Sequence, residues 1–153
     1  MWTAETFHSE FCKQIKQCLY GDHRYVHRLN DDELRKRFKE KRHSVSSFII
    51  SEDKLIEYME ITALECSEDA AIWLNSPIKR NNQYFFEIEY VFDEKLAKII
   101  TKIEGEVVET LCSDLYIILK KIQTKYGGFN FEIITEYCEL SPQEEFEIKK
   151  RDV

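Results

Sequence analysis

The 153-residue chain has little of what builds flexible or cross-linked proteins. Four glycines and two prolines leave little material for linkers. Ten Phe, eight Tyr and two Trp supply core material, which argues against disorder. The length suits one compact domain, residues 1–153, able to bury a core unaided. No apolar run approaches the roughly 20 residues that span a bilayer. The opening MWTAETFHSEF lacks the basic and apolar regions of a secretory signal. The five cysteines, Cys12, Cys18, Cys66, Cys112 and Cys138, are odd in number and widely spread, with no CxxC pair. That is poor material for a disulfide framework or a zinc site, and it reads as reduced, buried thiols in a cytoplasmic protein with no membrane partner.

Catalytic and cofactor signatures are missing too. There is no GxxxxGK phosphate loop and no nucleophile motif, so neither a catalytic residue nor a cofactor is expected. His23 and His27 lie four apart, but the Glu of an HExxH pattern is absent and Arg24 and Arg28 repel a cation; a solvated loop is the simpler reading. Glu147-Ile148-Lys149 matches the E-x-K element of a metal-dependent nuclease strand. With two fixed positions and no strand-borne Asp obviously upstream, it makes a small nuclease an alternative only.

Charge is the next feature. The net charge is −7, unevenly spread. Residues 22–43 hold eight basic against five acidic residues, whereas 132–147 hold six Glu and no basic residue. The run RLNDDELRKRFKEKRH gives a local basic surface from Arg35, Lys36, Arg37, Lys39, Lys41 and Arg42. Three acids precede that surface and Glu40 interrupts it, so an amphipathic helix with Leu34 and Phe38 inward accounts for it. An acidic field disfavours nucleic acid, because phosphate binding needs positive charge, and favours a basic protein partner.

Periodicity predicts an α+β fold: N-terminal helices followed by a β-β-α-β portion, a mostly antiparallel sheet with helices on one face. Phe7, Phe11, Ile15 and Leu19 recur every four residues, with Gly21 as a stop. Asn30 and Glu33 form a capping box ahead of a helix to about Arg42, and SVSSFIIS reads as a short strand. Ser51 opens a helix with Leu55, Tyr58, Met59, Thr62 and Ala63 on one face, a strand through 58–64 being the alternative. A further helical turn or two lies around 68–74, before Pro77.

In YFFEIEYVF, Tyr84, Phe86, Ile88, Tyr90 and Phe92 point one way, and Phe85, Glu87, Glu89, Val91 and Asp93 the other. Residues 97–104 repeat the alternation, which suggests a hairpin with Glu87 facing Lys102 and Val91 facing Lys98. Residues 106–126 then read as a long helix ending at Gly127-Gly128. FNFEIITEY resumes the alternation with Glu132 and Glu136 outward, and EEFEIKK adds a short edge strand.

The candidate partner-binding surface follows from those faces. Glu87, Glu89, Asp93, Glu132 and Glu136 would steer a basic partner. Phe85, Val91, Ile100 and Ile134 lie among them on a nominally wet face. Either the N-terminal helices cover these four, or they form the apolar centre of an interface with a charged rim.

In size, charge and the aromatic-acidic strands YFFEIEYVF and FNFEIITEY, the chain resembles the immunity proteins with which bacteria neutralise antagonistic toxins, of the contact-dependent inhibition type. The resemblance implies a non-enzymatic inhibitor whose carboxylates cover a basic toxin active site. A cytosolic chaperone or adaptor for a secreted client is the alternative binding role. The sequence leaves the oligomeric state open.

Overall fold

The computed structural model describes residues 1–18 and 28–151. In chain order the elements are helices α1 (Ala4–Cys18) and α2 (Asp31–Lys41), strand β1 (Val45–Phe48), helices α3 (Glu52–Glu65) and α4 (Ser67–Asn75), and a 3-10 turn (Asn81–Tyr84). Strands β2 (Phe85–Val91), β3 (Ala97–Ile103), β4 (Glu106–Cys112), β5 (Asp114–Gln123) and β6 (Phe129–Glu139) follow, and helix α5 (Pro142–Arg151) ends the series. Two antiparallel three-stranded sheets run in the orders β1-β3-β4 and β2-β5-β6, so the fold is α+β. No helix among the described residues is long and apolar enough to cross a membrane. His23, His27 and the proposed stop at Gly21 lie outside the described residues.

The chain divides into two compact units, each assembled from three segments. The first comprises 1–21, 52–90 and 116–136. Thr3 starts α1, its Oγ1 accepting the Thr6 N–H at 3.2 Å. The four-residue period then buries Phe7, Phe11 and Ile15 completely. Leu55, Met59 and Ala63 of α3 and Ala70 and Leu74 of α4 are buried in the same unit. Phe7 meets Phe131 with ring centroids 4.9 Å apart, and Trp73 stacks on Phe86 at 5.1 Å. Strand β6 stands at the end of its sheet, and side chains from the N-terminal segment take up its carbonyls. Trp2 Nε1 donates to Phe129 O at 2.7 Å and Gln14 Nε2 to Phe131 O at 2.7 Å. Bonds of this kind blunt a sheet edge that would otherwise offer unpaired backbone groups.

The second unit comprises 22–51, 91–115 and 137–153. Helix α2 is closed by the expected capping box: Asn30 Oδ1 accepts the Glu33 N–H at 2.9 Å, and Glu33 Oε1 the Asn30 N–H at 3.2 Å. It lies along one face of β3. Asp31 pairs with Lys98 at 2.9 Å, and Leu34 packs on Ile100 and Val45, with Leu29 and Phe38 at the margin. Arg35 grips Glu109, the β4 residue opposite Ile100, through bonds of 2.7 and 3.0 Å.

Three expectations are overturned. Residues 106–126 are not a helix but β4 and β5. Glu104 and Gly105 both have positive φ (51° and 84°) between Ile103 and Glu106, which are paired. That is a two-residue primed turn, whose twist matches antiparallel strands. Val107, Val108, Thr110, Ile117, Ile118 and Ile122 are β-branched and suit the pleat. The β-β-α-β order thereby becomes five consecutive strands and a terminal helix. The hairpin between 84–92 and 97–103 does not form either: β3 pairs with β1 and β4, whereas β2 belongs to the other sheet. Lys98 pairs with Asp31 of α2. Finally, EEFEIKK is helical, within α5. Ser141, Pro142 and Glu144 are its cap, first residue and third residue; Ser141 Oγ accepts the Glu144 N–H at 3.1 Å and Glu144 Oε1 the Ser141 N–H at 2.9 Å.

Candidate protein-binding face

Strand β2 is sorted by its alternation as the pleat requires. Ile88 is buried, and Phe86 and Tyr90 are half-buried. Cys66 Sγ lies 3.4 Å from Glu89 O on the same strand. Phe85, Glu87 and Glu89 are exposed on the strand, Phe85 to 51%; Val91, the strand's last residue and part of the second unit, is exposed to 47%. In the first unit Lys120 of β5 holds its ammonium 6.0 Å from the Phe85 ring centroid, which places the two on one face. Ile122, two residues on, is 40% exposed. On β6 Glu132 is exposed and Ile134 half-buried. The first unit thus presents apolar side chains interleaved with carboxylates and one lysine. An arrangement of this kind can bury its apolar members against a partner and meet cations at the rim.

Other residues expected on this surface are placed differently. Ile100 is 2% exposed, under Leu34 of α2, so an N-terminal helix covers it. Phe85 and Val91 stay open. Asp93 is exposed beyond the end of β2, in the second unit. Glu136 is 1% exposed and does not face solvent. Burial on β6 runs through Phe131 and Ile133 but then through Glu136 and Cys138, so its phase slips by one residue. A single-residue slip turns the following side chains to the opposite face. Desolvation pushes the Glu136 carboxyl up to about 7.

Two further groups escape sequence reasoning. Lys121, inside the stretch expected to be a helix, alternates inward with Leu115, Ile117 and Leu119 and is 2% exposed. Its ammonium donates to Ser76 O at 2.7 Å and sits 4.6 Å from the Phe129 ring and 5.4 Å from that of Trp73. Burial pushes its pKa down. The aromatic faces and the carbonyl replace water around the charge, so its role is structural. A strict period of two from Leu115 to Lys121 is the signal that could have found it. In the second unit Glu144 accepts the Ser113 N–H at 3.0 Å as well as the Ser141 N–H, and also pairs with Lys95. Burial opposes its ionisation, but the bonds from Lys95, Ser141 and Ser113 outweigh that and hold its carboxyl below the usual glutamate range.

Among the described residues no group of His, Cys, Asp and Glu is arranged to hold a metal. The E-x-K triplet lies on α5, where Glu147 accepts from Gln143 at 2.9 Å and Lys149 pairs with Glu145 at 3.2 Å. It is therefore not the strand that a metal-dependent nuclease needs.

Neither a family model nor a curated protein matches the sequence. Among solved structures the fold is similar to one chain of the CdiA-CT/CdiI complex from Y. kristensenii 33638. The two share 18% identity over 78% of this chain and 99% of that one, with a TM-score of 0.60. At this identity the likeness is one of fold.

Proposed function

We propose that the chain is a non-enzymatic binding protein: an immunity protein that docks on a basic toxin and blocks it. The observation that carries this reading is the open face of β2 in the first unit, where Phe85 stands beside Glu87 and Glu89 in a chain of net charge −7. The apolar side chains would supply the desolvated centre of the contact and the carboxylates its steering and rim. Glu132, Ile122 and Ile134 extend the same proposal within the first unit.

The fold likeness to a chain of a CdiA-CT/CdiI complex supports this role. That likeness alone does not choose between the two members of such a pair. The net charge of −7 favours the inhibitor, because a nuclease toxin must approach phosphate. The buried Glu136 is not part of the proposed contact.

Co-expression in a bacterial host tests the reading. The chain alone should leave growth unchanged and should restore growth when its proposed toxin partner is induced. Growth arrest by the chain alone would make it the toxic member, and failure to protect would remove the inhibitor reading.

A further inference from the structure

We propose that the notch between the C-terminal end of α2 and strand β3 is a binding site for the phosphate group of a small molecule. Strand β1 has four residues and β3 seven, and their register runs from Phe48↔Ala97 to Val45↔Ile100. Beyond Ile100, β3 keeps its β4 neighbour, but β1 has ended. The gap becomes a cavity of about 240 Å³ lined by Phe38, Arg42, His43, Ser44, Thr101 and Lys102. Arg42 closes α2 in the left-handed conformation (φ 58°), its N–H donating to Phe38 O at 3.0 Å, so the chain turns sharply at the mouth of the notch.

The lining is cationic and hydroxylic, with no carboxylate in it. Elsewhere in this unit, Arg35, Lys95, Lys98 and Lys149 each pair with an acid. Among the described residues the side chains of Arg42 and Lys102 have no such partner. Ser44 Oγ and Thr101 Oγ1 lie 2.5 Å apart. One hydroxyl donates to the other, so the second keeps a proton for a ligand. His43 Nδ1 lies 2.8 Å from Ser44 O; a carbonyl only accepts, so Nδ1 carries the hydrogen and Nε2 is left as an acceptor for a ligand hydroxyl.

Arg42, Lys102 and a hydroxyl donor suit the oxygens of a tetrahedral phosphate, and the imidazole Nε2 can accept from the hydroxyl of its monoanion; a single carboxylate would use only part of them. The cavity is large enough for a substituent on the phosphate. The net charge of −7 repels a polyanion, which favours a small phosphate ester over a nucleic acid backbone.

The experiment is an amide-resolved NMR titration of the full chain with inorganic phosphate, a nucleoside 5′-monophosphate and a single-stranded oligonucleotide. Saturable 1:1 shifts centred on Ser44 and Thr101 are expected for the first two, with the oligonucleotide no tighter than the mononucleotide. The double variant Arg42→Ala/Lys102→Ala should weaken binding about tenfold or more, while Lys36→Ala/Lys39→Ala, on the same helix, should leave it unchanged. Matching amide spectra of the free variants check that both remain folded. Shifts that never saturate, or equal losses in the two double variants, would reduce the notch to diffuse attraction and overturn the site. A much tighter oligonucleotide would overturn the small-molecule assignment.

Discussion

Glu144 Oε1 accepts the backbone N–H of Ser113 at 3.0 Å, tying the corner between β4 and β5 to the first turn of α5. The same oxygen caps α5 through Ser141, and the other oxygen pairs with Lys95. Replacing Glu144 by Ala removes a cap and leaves the Ser113 N–H without that partner, a loss of about 2 kcal/mol. The carboxyl is held below its ordinary range. Its contribution is therefore present above the unfolded-state pKa and is lost as pH falls through the folded-state value. Chemical denaturation of both proteins near neutral pH and in acid checks this: the gap should be wide at neutral pH and close in acid.

Glu136 has the opposite sign. Buried and pushed to about 7 from an ordinary 4.5, it keeps a proton in the folded chain that the unfolded chain has released. Stability is full below the lower value, falls as pH rises between the two, and is level above the upper one. The linkage amounts to about 3 kcal/mol. In Glu136→Gln the fall in melting temperature between the two plateaus should shrink; an unchanged fall would remove Glu136 as its source.

Ile100 and Phe85 were equivalent in the sequence, each an apolar residue on a nominally wet face, and the fold separates them. Ile100→Ala empties a site under Leu34 and should cost about 3 kcal/mol in urea denaturation. Phe85→Ala should change stability by no more than about 0.5 kcal/mol. It should weaken toxin binding about tenfold or more if Phe85 is an anchor of the contact. The reverse ranking would exchange the roles given to the two residues.

The contrast shows where the sequence was legible. Phe7, Phe11 and Ile15 reveal α1 because a period of four admits one reading, and Asn30 with Glu33 marks the start of α2. Pro77 stops α4, and alternation sorts β2 into an open and a covered face. The stretch 106–123 misled because Leu111, Leu115, Ile118, Leu119 and Ile122 also fit a helical stripe; the deciding features were the β-branched content and the turn at Glu104-Gly105. The partner of β3 was not legible, because Lys98 suits Asp31 as well as any strand carboxylate and the choice depends on a distant helix. The cap Ser141-Pro142-Gln143-Glu144 was readable and outweighs the brief alternation of EEFEIKK. For the candidate face, the exposure of Phe85 and Val91 follows from one strand alone. The burial of Ile100 needs α2, and that of Glu136 needs a slip of phase that the alternation of FNFEIITEY does not announce.

The proposed inhibitor role is decided by calorimetric titration of the chain with its proposed toxin partner, for the parent and for Glu87→Lys, at about 0.1 M and about 1 M salt, where the screening length falls from about 10 Å to about 3 Å. A one-to-one complex that weakens with salt and weakens further in Glu87→Lys is expected. No complex, or an affinity indifferent to both changes, would contradict it.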